Sequence, residues 1–172
     1  LCLCRTKAHF SQEGSTRILT LDPVDIEFYD LTVKLQTIVS FEEGSSAIKI
    51  ERKILEMSDP NAEVELNEYI VACYGTTEYS EDMLGITLST KKGDEVETLD
   101  YEYKCREKAE ADEVRAVIPQ IETAVSMNTN AEGAVGYVKE GYAFSPMFTL
   151  GYNSKIKDKE VVATWLKLEK AN

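Results

Sequence analysis

From Asp30 to Phe41 the chain alternates: Leu31, Val33, Leu35, Val39 and Phe41 share one parity, while Thr32, Lys34, Gln36 and Ser40 take the other. Successive side chains of a strand point to opposite faces, so this stretch reads as a half-buried β-strand. Thr37 and Ile38 break the alternation, but both are β-branched and suit a pleated sheet on either face. One apolar face requires a second layer, and the remaining sequence must supply partner strands and a covering sheet or helix.

The same pattern recurs on both sides of this strand. Upstream, Leu19 and Leu21 are followed by Asp22-Pro23 and then by Val24, Ile26 and Phe28 alternating with Asp25 and Glu27. This predicts two short strands broken at Pro23, whose missing N–H suits a sheet edge. Downstream, Glu42-Glu43-Gly44-Ser45-Ser46 reads as a hairpin turn, and Ala47–Met57 returns with Ile48, Ile50 and Ile54 inward. After the breaker Ser58-Asp59-Pro60-Asn61, residues 62–75 fit a helical stripe or a strand, and their β-rich composition predicts strand from about Tyr69. Leu84, Ile86 and Leu88 alternate, Lys91-Lys92-Gly93-Asp94 turns, and Val96–Cys105 runs back as a second hairpin.

The one segment with helical spacing is 107–128, where Val114, Val117, Ile118, Ile121 and Val125 form a stripe with Pro119 in its middle. Proline in a helix interior costs about 3 kcal/mol or more, so strand is expected here. An aromatic stretch follows over 134–152, and a last strand, Glu160–Lys167, carries the only tryptophan, Trp165. Many short strands separated by turn residues predict a mainly β fold with at most one or two short helices. The expected architecture is a two-layer antiparallel β-sandwich, Ig-like or jelly-roll-like, or a partly open barrel. Residues 1–16 read as an N-terminal arm and 17–172 as one β-rich domain.

Length and charge narrow the partners. At 172 residues one core suffices, and 43% hydrophobic with 29% charged residues is ordinary for a globular chain. No apolar run approaches a bilayer crossing, so no membrane span is expected. The net charge of −12, from 31 acidic and 19 basic residues, repels phosphate backbones and argues against a nucleic-acid partner.

Four cysteines lie at Cys2, Cys4, Cys73 and Cys105. Parity turns Cys73 and Cys105 inward, which admits a disulfide between them or two buried thiols. Cys2 and Cys4 are candidates for a disulfide or an inter-subunit crosslink. A first residue of Leu1 instead of Met is read as a processed export signal or an artificial boundary, which with the paired cysteines predicts an extracellular or cell-surface, secreted protein.

Catalytic chemistry is sparse. The single histidine, His9, lies in the polar arm, where an oriented imidazole for a Ser-His-Asp or Cys-His arrangement is not expected. Cys2-Leu3-Cys4 has one intervening residue where zinc knuckles use two to four, so no metal is expected, and no motif points to another cofactor. A hydrolase built on paired carboxylates stays a residual reading, because 31 acids make chance pairs common.

Two functional expectations remain. The leading one is a non-catalytic structural subunit of a filament, coat or surface layer, binding copies of itself or another protein subunit through the arm and an edge strand near Arg17–Phe28. The alternative is a small-ligand or glycan-binding β module that uses Tyr137, Tyr142, Phe144 and Phe148.

Overall fold

A computed structural model describes residues 6–73, 87–99, 106–110, 112–118, 122–130, 135–140 and 147–171. Among them every regular element is a strand, and the sheets are antiparallel and open. This is the mainly β architecture that the alternation predicts. The chain divides into two compact units, residues 1–66 with 155–166 and residues 67–154 with 167–172.

The first unit holds β1 (Ala8–Glu13), β2 (Thr16–Leu21), β3 (Val24–Phe28), β4 (Leu31–Glu42) and β5 (Ala47–Met57). Its sheet runs β1-β2-β4-β5-β14, where β14 is Val161–Lys170. The organising strand is β4. One of its edges pairs β5, and the other pairs β3 over Leu31–Leu35 and then β2 over Ile38–Glu42. Pro23 falls in the gap between β2 and β3, as its lack of an N–H requires. Gly44 makes the β4–β5 turn at φ 84°, a conformation open to glycine at little cost.

The β4–β5 ladder slips at one point. Lys34 stands opposite Glu56 and Leu35 opposite Ile54, which leaves Leu55 as the extra residue of a bulge. The slip has a packing consequence. Ile54 and Met57 differ in parity, yet the bulge brings both to the face of Val33, where the three are 2%, 3% and 2% exposed respectively for Ile54, Met57 and Val33. The turn between β13 (Met147–Lys157) and β14 satisfies the backbone around the bulge. Ile54 donates its N–H to the Glu160 carbonyl at 2.9 Å, Met57 donates to Asp158 Oδ1 at 2.8 Å, and the Leu55 carbonyl accepts from the Lys159 ammonium.

Burial on this face fades toward the Gly44 turn. Ile54 is inward as expected, but Ile48 is 44% exposed and Ile50 is half-buried. Ile156, Val162 and Ala163 complete the buried apolar set of the unit. Thr164 is also buried, and its Oγ1 has no hydrogen-bond partner among the described residues. Thr164→Val replaces that hydroxyl with a methyl in a β-branched frame, and chemical denaturation is expected to show a gain of about 1 kcal/mol.

The second unit contains the strand order β11-β10-β7-β8, which belongs to the same hydrogen-bonded sheet as β14 and is built from β7 (Thr87–Lys92), β8 (Glu95–Leu99), β10 (Glu113–Ile118) and β11 (Thr123–Thr129). A four-stranded sheet has the order β6-β13-β12-β9, with β6 at Glu63–Cys73, β9 at Arg106–Glu110 and β12 at Val135–Glu140. Strands β6, β13 and β14 each have residues in both units. Val114, Ala116, Ala124 and Met127 are the buried apolar residues of β10 and β11.

Among the described residues the regular structure of 107–128 is strand, as Pro119 predicts, but it is divided among most of β9, all of β10 and most of β11. Pro119 itself lies outside the described residues. β6 begins at Glu63 and so includes the part of 62–75 that composition left open.

Charge is organised locally at the end of β14. Glu169 lies 2.8 Å from Lys167 and 3.4 Å from Arg115 of β10. The hydrogen bond from Lys167, then the nearby positive charges of Lys167 and Arg115, hold its carboxyl below the ordinary carboxylate range. Because the folded state lowers this pKa, any stabilisation is present at higher pH and is lost as pH falls through the lowered value. Lys167→Met is expected to move the Glu169 midpoint upward in an NMR pH titration.

Candidate functional site

The aromatic candidates divide between described and undescribed positions. Tyr137 lies on β12 opposite Gly151, and Phe148 lies on β13 opposite Glu140. Positions 137 and 140 are an odd number of residues apart, so the register assigns positions 137 and 148 to opposite faces of this strand pair. Tyr142 and Phe144 lie outside the described residues, as do Cys2, Cys4 and Cys105. Cys73 is the last residue of β6, and His9 is in β1.

A different set of side chains converges in the first unit, on the polar parity of β4 and β5. Lys49 stands opposite Ser40, and Glu51 stands opposite Ile38. Residues two apart on a strand share a face, and here the Lys49 ammonium reaches Glu51 Oε1 at 3.1 Å. The same ammonium lies 5.6 Å from the centroid of the Trp165 ring on β14. That is within cation–π range and places the indole beside the charged pair. Lys49 and Glu51 are 35% and 27% exposed in their side chains, and Trp165 is half-buried.

One row of this face crosses four strands in direct register: His9, Thr20, Ile38 and Glu51. Adjacent strands are spaced about 4.8 Å apart, so the imidazole and the Glu51 carboxylate are separated by about 14 Å of sheet. His9 is engaged elsewhere, with Nε2 at 2.6 Å from Asp22 Oδ1. The backbone N–H of Asp22 donates to the Lys7 carbonyl at 2.8 Å, and Thr6 Oγ1 donates to the Asp22 carbonyl at 2.8 Å. Residues 6–9 are thus fastened to the β2–β3 turn.

An indole face flanked by a strong donor and a strong acceptor suits a ligand with an apolar C–H surface and a rim of hydroxyls. The ring takes the C–H surface, while Lys49 and Glu51 meet the hydroxyls. Sequence reasoning treated Trp165 as a strand residue and passed over Lys49 and Glu51. The available signal was the Lys49-x-Glu51 alternation on the solvent parity of β5. Its meeting with Trp165 depends on β14 lying next to β5, which no local pattern reveals.

No protein-family model matches the chain, and no curated protein matches it by sequence. Solved structures do match. The Slr1438 protein of Synechocystis sp. PCC 6803 aligns with TM-score 0.62 at 10% identity, over 96% of this chain and 66% of that one. A putative aldose 1-epimerase from Escherichia coli K12 aligns with TM-score 0.62 at 11% identity, over 98% and 69%. The chain shares the fold of these proteins. A galactose mutarotase-like protein from Clostridium acetobutylicum also aligns, with TM-score 0.55 at 7% identity, over 98% and 67%. This chain spans about two thirds of the length of each, and at these identities the likeness shows the fold alone.

That likeness overturns the expectation of a self-assembling filament, coat or surface-layer subunit, since two of these neighbours are described as a putative aldose 1-epimerase and a galactose mutarotase-like protein. Part of the physical premise fails as well. Within Arg17–Phe28, expected to offer free backbone for strand addition, β2 is paired on one side with β1 and on the other with β4, while β3 pairs β4. The β-sandwich class stands, while nothing in the likeness supports a structural, self-assembling or filament-forming protein, secretion or a disulfide. Among the described residues no group of three or more His, Cys, Asp or Glu side chains is placed to hold a metal, and no helix is long and apolar enough to cross a membrane.

Proposed function

We propose that this chain is a carbohydrate-binding module that holds a saccharide against Trp165 on the open polar face of β4, β5 and β14. The observation that carries this reading is the half-buried indole with the Lys49 ammonium 5.6 Å from its centroid and Glu51 3.1 Å from that ammonium. The fold it shares with proteins named for an epimerase and a mutarotase agrees with a sugar as ligand.

Binding without turnover is the reading favoured by the row across the sheet. Moving protons on and off one sugar needs an acid and a base that both reach the reacting atoms. His9 and Glu51 stand three strands apart in that row, and each already has a charged partner, Asp22 and Lys49.

Isothermal titration of the native protein against galactose, glucose and their oligosaccharides tests the proposal, with saturable one-site binding expected for at least one of them. No heat from any saccharide contradicts it. Polarimetry on freshly dissolved α-galactose tests the absence of turnover: the expected rate of mutarotation equals that of buffer, and an acceleration would make the chain an enzyme. Tyr137→Ala and Phe148→Ala report on the aromatic stretch in the same titration. Loss of binding in these variants, with Trp165→Ala unaffected, would move the site there.

A further inference from the structure

We infer that the Lys49–Glu51 pair is the specificity-determining element of this face, selecting a neutral pyranose that carries two adjacent equatorial hydroxyls. The inference rests on the carbohydrate-binding reading above and adds to it the class of sugar. Its basis is a match of donors, acceptors and spacing. Lys49 Nζ and Glu51 Oε1 lie 3.1 Å apart, a separation comparable to that between two gauche hydroxyl oxygens on a pyranose ring. An ammonium has three N–H donors, of which Glu51 takes one, and a carboxylate has about four lone-pair sites.

A hydroxyl is both donor and acceptor. One hydroxyl of a vicinal pair can therefore accept from Lys49 while its neighbour donates to Glu51, with the mutual contact of the two charged groups kept intact. Both bonds are charge-assisted, which makes them about twice as strong as neutral ones. Equatorial hydroxyls lie near the mean plane of the ring. A pyranose stacked on Trp165 thus presents its rim, rather than its C–H face, to side chains standing beside the indole.

Charge decides between neutral and acidic sugars. Lys49 and Glu51 cancel, so a uronate or a sugar phosphate finds no net positive charge in the pair, and the chain as a whole carries −12. An acidic sugar also has to compete with Glu51 for Lys49. Removing one hydroxyl of the recognised pair leaves a half-buried charged group short of a partner, which is the situation in which polar sites discriminate most strongly.

The test is a titration of the native protein with methyl β-D-glucopyranoside, its 2-deoxy, 3-deoxy and 4-deoxy analogues, and methyl β-D-glucuronide. Two deoxy analogues missing adjacent hydroxyls are expected to bind at least tenfold more weakly than the parent, and the glucuronide no more tightly than the parent. In Lys49→Met and Glu51→Gln the parent is expected to weaken and the gap to the deoxy analogues to close, with melting temperature confirming that both variants are folded. Equal affinity for parent and all deoxy analogues, an unchanged gap in both variants, or tighter binding of the glucuronide would overturn the inference. Any of these alongside sugar binding that Trp165→Ala abolishes leaves the carbohydrate-binding reading standing. Failure of the native protein to bind any of the glycosides used here or the sugars above ends both.

Discussion

Ile54→Ala is expected to destabilise the first unit by about 2–5 kcal/mol, whereas Ile48→Ala on the same strand and the same face stays within about 1 kcal/mol. The two residues are chemically identical and six positions apart, so the difference isolates position in the fold. Ile54 is 2% exposed at the bulge, where Val33 and Met57 are buried beside it in the register. Its truncation leaves a cavity that the surrounding side chains can close only in part. Ile48 is 44% exposed near the Gly44 turn and gives up little buried area. Urea denaturation followed by circular dichroism measures both, and equal losses would show that burial along β5 is uniform. A typical native domain is stable by about 5–15 kcal/mol, so the Ile54 variant loses a large fraction of that margin.

That contrast marks the limit of what parity discloses. The alternation from Leu31 to Phe41 correctly places Val33 and Phe41 on one face, yet Val33 is 2% and Phe41 is 45% exposed. Parity assigns a face, and the depth of burial depends on what lies over each position along the strand. The β4–β5 bulge left a single trace in sequence, the change from the even positions Ile48, Ile50 and Ile54 to the odd position Met57. The hairpin at Gly93 was readable because φ 58° there favours glycine. By contrast, the turn before β11 contains Glu122 at φ 47°, a residue type that announces no such conformation.

The functional reading failed for a related reason. The arm and the Arg17–Leu21 part of the expected edge looked available because the pairing of β1 along β2 is not written in the polar sequence of Ala8–Glu13, all of it exposed. Trp165, Lys49 and Glu51 were each visible as residues. Their convergence is a product of β14 lying beside β5, a long-range pairing that no local pattern in the sequence discloses.

Trp165→Ala is the second large expected effect, on binding. Truncating an aromatic anchor typically removes 2 kcal/mol or more of binding energy, which corresponds to roughly a 30-fold loss of affinity. Trp165→Tyr keeps a ring for stacking and is expected to keep part of that affinity, so the order native, Tyr, Ala separates stacking from general disruption. Because Trp165 is half-buried, the Ala variant also gives up some packing, and its melting temperature must stay above that of the binding assay for the comparison to hold. Equal affinity in all three proteins would remove the indole from the site.

Trp165 is the only tryptophan in the chain, so its emission reports this face and no other. A fluorescence titration with the oligosaccharide that binds best therefore asks directly whether a saccharide sits against Trp165. A saturable change in tryptophan emission is expected, with a midpoint equal to the calorimetric dissociation constant and a reduced amplitude in Lys49→Met, where the ammonium beside the ring is gone. A saccharide that binds by calorimetry while leaving the Trp165 emission unchanged would contradict it.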